Sequence, residues 1–157
     1  MLLRNGQGKP VMAKRALKLT FRIPPYRHPR ISWRRMIHAE ALKLKDDKGI
    51  DYMKKDRLEV QCSLYMNTKS FPLHDVDNRL KDILDALQGR AGGSKRVRTL
   101  AAIVPNDNQV YRVVFEKLPS PPGMDGGGIV TIRRLPSANI RWRRARRARG
   151  GNWCDVK

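Results

Sequence analysis

The apolar residues of this 157-residue chain keep two different periods, and the alternation between them confines it to folds that pack helices on a sheet. Leu80, Ile83, Leu84 and Leu87 fall at i, i+3, i+4 and i+7, with Asp77 or Asn78 available as N-cap and Gly89 in the C′ position. Ser32–Lys45 predicts a second helix, with Trp33, Ile37, Ala41 and Leu44 near helical spacing, Lys43 and Lys45 in its last turn and Gly49 beyond. Elsewhere the period is two. Leu17, Leu19, Phe21 and Ile23 alternate with Lys18, Thr20 and Arg22 up to Pro24-Pro25, and Leu58, Val60, Cys62 and Leu64 alternate with Glu59, Gln61, Ser63 and Tyr65. Val110–Lys117 and Gly128–Leu135 are β-branched and aromatic enough to be a third and a fourth strand, and the short Pro119–Gly127 connection between them predicts a hairpin. The expected class is α/β (α+β): a small mixed four-stranded sheet packed by two helices.

Charge narrows the partners. Lys and Arg number 34 against 14 Asp and Glu, a formal net charge of +20, so the chain repels itself and seeks polyanions. A hydrophobic share of 40% supports a modest core and excludes wholesale disorder. No apolar run approaches the roughly 20 residues needed to cross a bilayer, and no secretory h-region follows the start, so no membrane partner is expected and the compartment reads as intracellular. The two cysteines, Cys62 and Cys154, form no CxxC pair and have no nearby His to make a zinc site; Cys62 reads as a core residue and Cys154 as an incidental thiol. Residues 1–15 read as a flexible basic arm (Arg4, Lys9, Lys14, Arg15), with Met12 a second candidate start, 16–136 as the domain, and 137–157 as an Arg-rich disordered tail carrying a surplus of six charges.

The scarce acids are the more informative half of the count. Asp75, Asp77, Asp82 and Asp85 fall within eleven residues at the start of the helix that carries Leu80 and Leu87. If residues 74–77 are extended, Asp75 and Asp77 point to one side, and Lys81 lies one turn beyond Asp77. Two carboxylates and a cation beside a basic surface suit magnesium-dependent phosphodiester hydrolysis, because Mg²⁺ takes one or two carboxylates, keeps several waters and completes its shell with phosphate oxygen. Asp107, in Asn106-Asp107-Asn108-Gln109 before the third strand, offers a third carboxylate, although the same residues also make a natural turn. Asp82 and Asp85 read as structural or solvated, His74 as a neighbour of the site or a phosphate contact rather than its general base, and His28 and His38 as isolated surface or loop residues. Arg27, Arg30, Arg34, Arg35, Arg79, Lys95, Arg96 and Arg98 are the candidates for contacts with DNA phosphate. Trp33 reads as helix core, with stacking on an exposed base as the alternative.

Asp75-Val76-Asp77-Asn78-x-x-Lys81, then Ile83-Leu84-Asp85-Ala86-Leu87, then Asn106-Asp107-Asn108-Gln109-Val110, resembles the RusA family of Holliday junction resolvases, over roughly residues 16–135. The resemblance implies a RusA-like α/β homodimer that nicks four-way DNA junctions symmetrically during recombination and repair, as a cytoplasmic, nucleoid-associated protein of a bacterium or phage. It implies Mg²⁺ as cofactor, with Mn²⁺ as a substitute, held by Asp75, Asp77 and Asp107, with Lys81 the catalytic cation and Asn78 orienting a ligand or touching phosphate. The segment between Gly89 and Asp107 and the Arg-rich tail look like departures from the shortest members of the family. Two other readings stay open: a non-catalytic basic nucleic-acid-binding protein, and a nuclease for other branched DNA.

Overall fold

A computed structural model describes residues 17–69, 71–92 and 99–136. The expected arm, the tail, and Lys95, Arg96, Arg98 and Cys154 lie outside the described residues. The elements are β1 (Lys18–Ile23), α1 (Arg30–Asp47), β2 (Leu58–Met66), α2 (Val76–Leu87), β3 (Val110–Pro119) and β4 (Gly126–Arg134), with single 3₁₀ turns at Phe71–Leu73 and Asp107–Gln109. The four strands form one mixed sheet in the order β1-β4-β2-β3, with β2 parallel to β3 and antiparallel to β4, and β1 antiparallel to β4. This is the expected mixed α+β architecture of four strands and two helices.

Strand β2 carries the most apolar inner face: Leu58, Val60, Cys62, Leu64 and Met66 are all buried. A strand like that belongs in the middle, and this overturns the expected β3–β4 hairpin. The two strands do not pair; β2 lies between them, joined to β3 through α2 as a βαβ unit and to β4 on its other side. A hairpin would have displaced β2 from its place between them. Residues 120–125 instead cross the end of β2, where the Ser120 N–H donates to Met66 O at 2.7 Å. Gly126 follows with φ +114°, at a place where a Cβ would stand 2.7 Å from Tyr65 O.

Both helices pack on one face of the sheet. Trp33, Ile37 and Ala41 of α1 and Ile83, Ala86 and Leu87 of α2 join Leu19, Phe21, Ile23, Val130 and Ile132 in a single core. Trp33 is fully buried and donates through Nε1 to Pro24 O at 2.9 Å, so its core reading holds. The opposite face is open and polar: Thr20 and Thr131 pair their hydroxyls at 3.0 Å, and Arg133 and Arg112 close over the carboxylate of Glu59 at 2.8 and 3.2 Å. His38, expected at the surface, is buried on α1 with Nε2 2.7 Å from Ala101 O, which fastens the 99–105 segment to the helix pair.

Gly89 ends α2 as expected, at φ +76° with its N–H donating to Ala86 O. Its carbonyl then accepts from Thr99 and Leu100, and a Cβ there would fall 2.2 Å from Leu100 O. Gly89→Ala should therefore destabilise the fold by about 2 kcal/mol or more in denaturant melts, from backbone strain and a displaced loop together. Burial pushes the Cys62 thiol up to about 12, so Ellman's reagent at pH 8 should leave it unmodified in the folded protein and label it in denaturant.

Candidate metal and phosphate site

The amino end of α2 carries the acids picked out above. Helix α2 begins two to three residues earlier than expected, so the N-cap is Asp75 rather than Asp77 or Asn78, and Asp77 lies in the first turn. The two carboxylates therefore share a helix start rather than one side of an extended segment. Asp75 makes no side-chain cap bond to the backbone; Asn78 Nδ2 donates to its Oδ2 at 3.4 Å. Asp75, Asp77, Asn78 and Lys81 are all exposed, with Lys81 one turn beyond Asp77. The positive end of the helix dipole favours the paired negative charges, which leaves them as open oxygen donors.

Strand β3 holds this end in place. Lys117 donates from Nζ to Phe71 O and His74 O, both at 2.8 Å, and lies 4.7 Å from the Phe71 ring centroid. Beside it, the Tyr26 ring meets His28, Trp33 and His74 edge-on and stacks under the Arg79 guanidinium at 4.0 Å. His28, read as isolated, thus belongs to this cluster. His74 titrates below its ordinary value because burial disfavours its charged form and Arg79, Lys117 and His28 add positive charge nearby, so the ring is neutral at pH 7.

Asp107 stands at the other end of the sheet. It is exposed on the 3₁₀ turn before β3, where Asn106 accepts from the Asn108 N–H and Gln109 Oε1 accepts from the Asn106 N–H. Gln109 Nε2 then donates to Met53 O and Asp56 O, which anchors the turn beside the start of β2. From Val110 to Lys117 the strand advances roughly 23 Å at about 3.3 Å per residue. Helix α2, whose last carbonyl, at Leu87, accepts from Ile103 and Val104, covers about 18 Å over its 12 residues. A single chain therefore brings Asp75, Asp77 and Lys81 together and leaves Asp107 at the far end. Among the described residues no group of three or more His, Cys, Asp or Glu is placed to hold a metal ion.

The arginines divide between surface and interior. Asp82 is fully buried, and three guanidiniums converge on it: Arg30 at 2.8 Å, Arg34 at 2.7 Å and Arg79 at 3.0 Å. Arg34 also meets Asp85 at 3.1 Å, and Arg35 Nε donates to Ala91 O. Arg79 is only 5% exposed, so the expectation of a phosphate contact is corrected: its charge is spent inside, on Asp82 and the Tyr26 ring. Arg34 is largely enclosed in the same way, whereas Arg30 keeps 40% of its side chain exposed and Arg27, 3.9 Å from Asp125, is on the surface. The hydrogen bond to Asp82 raises the Arg30 pKa further. Asp82 is structural, as read, but its role as the hub was missed. Its signal in the sequence is Arg79 three residues before it and its place beside Ile83 and Ala86 on the inner face of α2.

The chain matches no model of a known protein family and no curated protein. Asp82→Asn should lower stability by about 3–5 kcal/mol in urea melts, because three guanidiniums would lose their shared anion. Asp77→Asn, at an exposed first-turn position, should change stability by less than about 1 kcal/mol.

Proposed function

We propose that this protein is a magnesium-dependent endonuclease acting on branched DNA, with four-way junctions as its substrate and a homodimer as its working form. The observation that carries the reading is the exposed Asp75–Asp77 pair at the amino end of α2, with Lys81 one turn on, in the order of the RusA motif and in a chain of net charge +20. Asp75 and Asp77 would hold Mg²⁺, which supplies a water of lowered pKa and neutralises charge on the phosphoryl oxygens. The donor set fits: hard carboxylate oxygens, exposed, and two in number. Asn78 fixes the orientation of Asp75, Lys81 offsets charge developing on the phosphate, and the basic surface draws in DNA by counterion release.

Asp107 joins the site across a two-fold axis. Strand β3 is an edge strand with Tyr111 64% and Val113 40% exposed, the kind of edge that soluble proteins cover or pair. Antiparallel pairing of β3 with a second copy, centred on Val114, sets Arg112 opposite Glu116 of the partner subunit on the open face and Val113 opposite Phe115 of the partner subunit on the helix face. The same pairing carries Asp107 to the end of the sheet where the partner subunit's Asp75 and Asp77 lie. Two sites related by the axis then face two strands of the junction, as paired symmetric nicks require.

The test is a labelled four-way junction incubated with Mg²⁺. Wild-type protein should give paired symmetric nicks that EDTA abolishes, and Asp77→Asn and Asp107→Asn should each lower the rate at least 100-fold while retaining binding. Equal binding with and without Mg²⁺ and no cleavage of any branched substrate would instead leave a basic nucleic-acid-binding protein. Mixing the two inactive variants separates a shared site from one within a chain: a shared site regains nicking, since each mixed dimer holds one site with all its acids, and a site within one chain stays dead.

A further inference from the structure

The two carboxylates at the amino end of α2 are held by different parts of the chain. Asp77 lies inside the first helical turn, so the helix itself sets its Cα–Cβ direction. Asp75 is the N-cap, with extended dihedrals of φ −70° and ψ 142°, and its side chain makes no cap bond to the backbone. On its downstream side the helix holds it, since its carbonyl accepts from the Arg79 N–H at 3.3 Å. On its upstream side the hold comes from strand β3.

That hold is a single ammonium. Lys117 donates from Nζ to His74 O and Phe71 O, both at 2.8 Å, and lies 4.7 Å from the Phe71 ring centroid. Lys117 is half-buried and makes no ion pair among the described residues, so its donors and its charge are directed at the 71–74 segment. The carbonyl of His74 belongs to the planar peptide group that joins His74 to Asp75. Fixing its oxygen fixes that plane, and with the Arg79 bond on the other side both peptide planes flanking the Asp75 Cα are pinned. The Asp75 side chain therefore leaves the backbone in a set direction relative to Asp77. The far end of the segment is anchored in turn, the Phe71 N–H donating to Asn67 O at 2.9 Å just past β2. The His74 ring, 4.9 Å from that of Tyr26, ties down the side chain and leaves the carbonyl to Lys117.

We infer that Lys117 is a positioning residue: by pinning the His74 carbonyl it sets the Asp75 and Asp77 carboxylates at the spacing of a preformed magnesium site. This role rests on the metal reading of the site and adds to it a residue from outside the acidic motif. Mg²⁺ demands near-ideal octahedral geometry, so a ligand pair free to drift costs affinity for the ion rather than reactivity once the ion is bound. Loss of Lys117 is accordingly felt in the metal requirement.

The experiment compares the full wild-type chain with Lys117→Met, which keeps the length of the side chain and removes its donors, and with Lys117→Arg, which keeps donors and charge. In metal-free wild type, ¹⁵N relaxation should show the Asp75 amide as ordered as that of Asp77; Lys117→Met should loosen residues 71–75 and leave Asp77 unchanged. Titration with MgCl₂ without DNA, at ionic strength held constant with NaCl and followed at the Asp75 and Asp77 amides, should half-saturate at least tenfold higher in Lys117→Met and within about threefold of wild type in Lys117→Arg. Junction nicking should show the same tenfold rise in the Mg²⁺ needed for half the maximal rate, with the rate at saturating Mg²⁺ within about threefold of wild type and junction binding unchanged. Wild-type order at Asp75 and a wild-type Mg²⁺ requirement in Lys117→Met overturn the role. So does loosening that spreads through Asp77 and α2, which makes Lys117 a general support, or a lowered rate that saturating Mg²⁺ does not restore. Absence of saturable Mg²⁺ shifts in wild type overturns both this role and the metal reading. A protein that cuts no junction, yet loses order at Asp75 and affinity for Mg²⁺ in Lys117→Met, sinks the nuclease and keeps the positioning role; an active nuclease indifferent to the substitution does the reverse.

Discussion

The carboxylate of Asp82 organises the part of this molecule that bears its chemistry. A fully buried acid is costly to remove from water, and it is retained here because guanidiniums from the start of α1 and from α2 surround it. That convergence fixes where α1 starts relative to α2 and sets the Arg79 guanidinium over Tyr26, whose ring gathers His28, Trp33 and His74. Two helix starts, each with its dipole positive outward, thereby come to one end of the sheet. The exposed Asp75 and Asp77 are anions placed in that field.

Most of the element plan was legible in the sequence because burial imposes periods. The alternation in β1 and β2 and the i, i+3, i+4, i+7 spacing in α2 each predict the observed element to within three residues, and Gly89 marks the end of α2 as its positive φ requires. Strand neighbours were not legible in the same way. A short connection between β3 and β4 favours a hairpin locally, and only the burial of both flanks of β2 decides against it. The N-cap was misplaced for a related reason: Asp75, Asp77 and Asn78 are all good capping types, and the choice among them depends on where Lys117 ties the preceding segment to β3.

Arginines were the least legible residues. A count of basic side chains in a +20 chain makes each one a candidate for phosphate, yet Arg34 and Arg79 are turned inward to a single acid. Nothing in the immediate neighbours of Arg34 distinguishes it from Arg27, which faces solvent; the difference lies in Asp82, 48 residues on, an acid that Arg79 has three residues away. Acids are few enough that each one placed on an inner helix face has to recruit cations, and in a chain this basic those cations are arginines. Asp107 illustrates the reverse limit. Its turn chemistry is plain in the sequence, but its distance from Asp75 and Asp77 is a property of the βαβ crossover.

The described chain almost closes on itself. Strands β1 and β4 are neighbours running in opposite directions, and the Arg134 N–H donates to Leu17 O at 3.1 Å, so the first and last described strands meet at one corner of the sheet. A short linker there, in place of residues 1–16 and 137–157, with a new opening in the 120–125 loop, would give a circular permutant that keeps all three strand pairs and the helix packing. The order of elements along the chain is thus separable from their order in space, and the sheet and its buried acid carry the architecture whichever strand is made first.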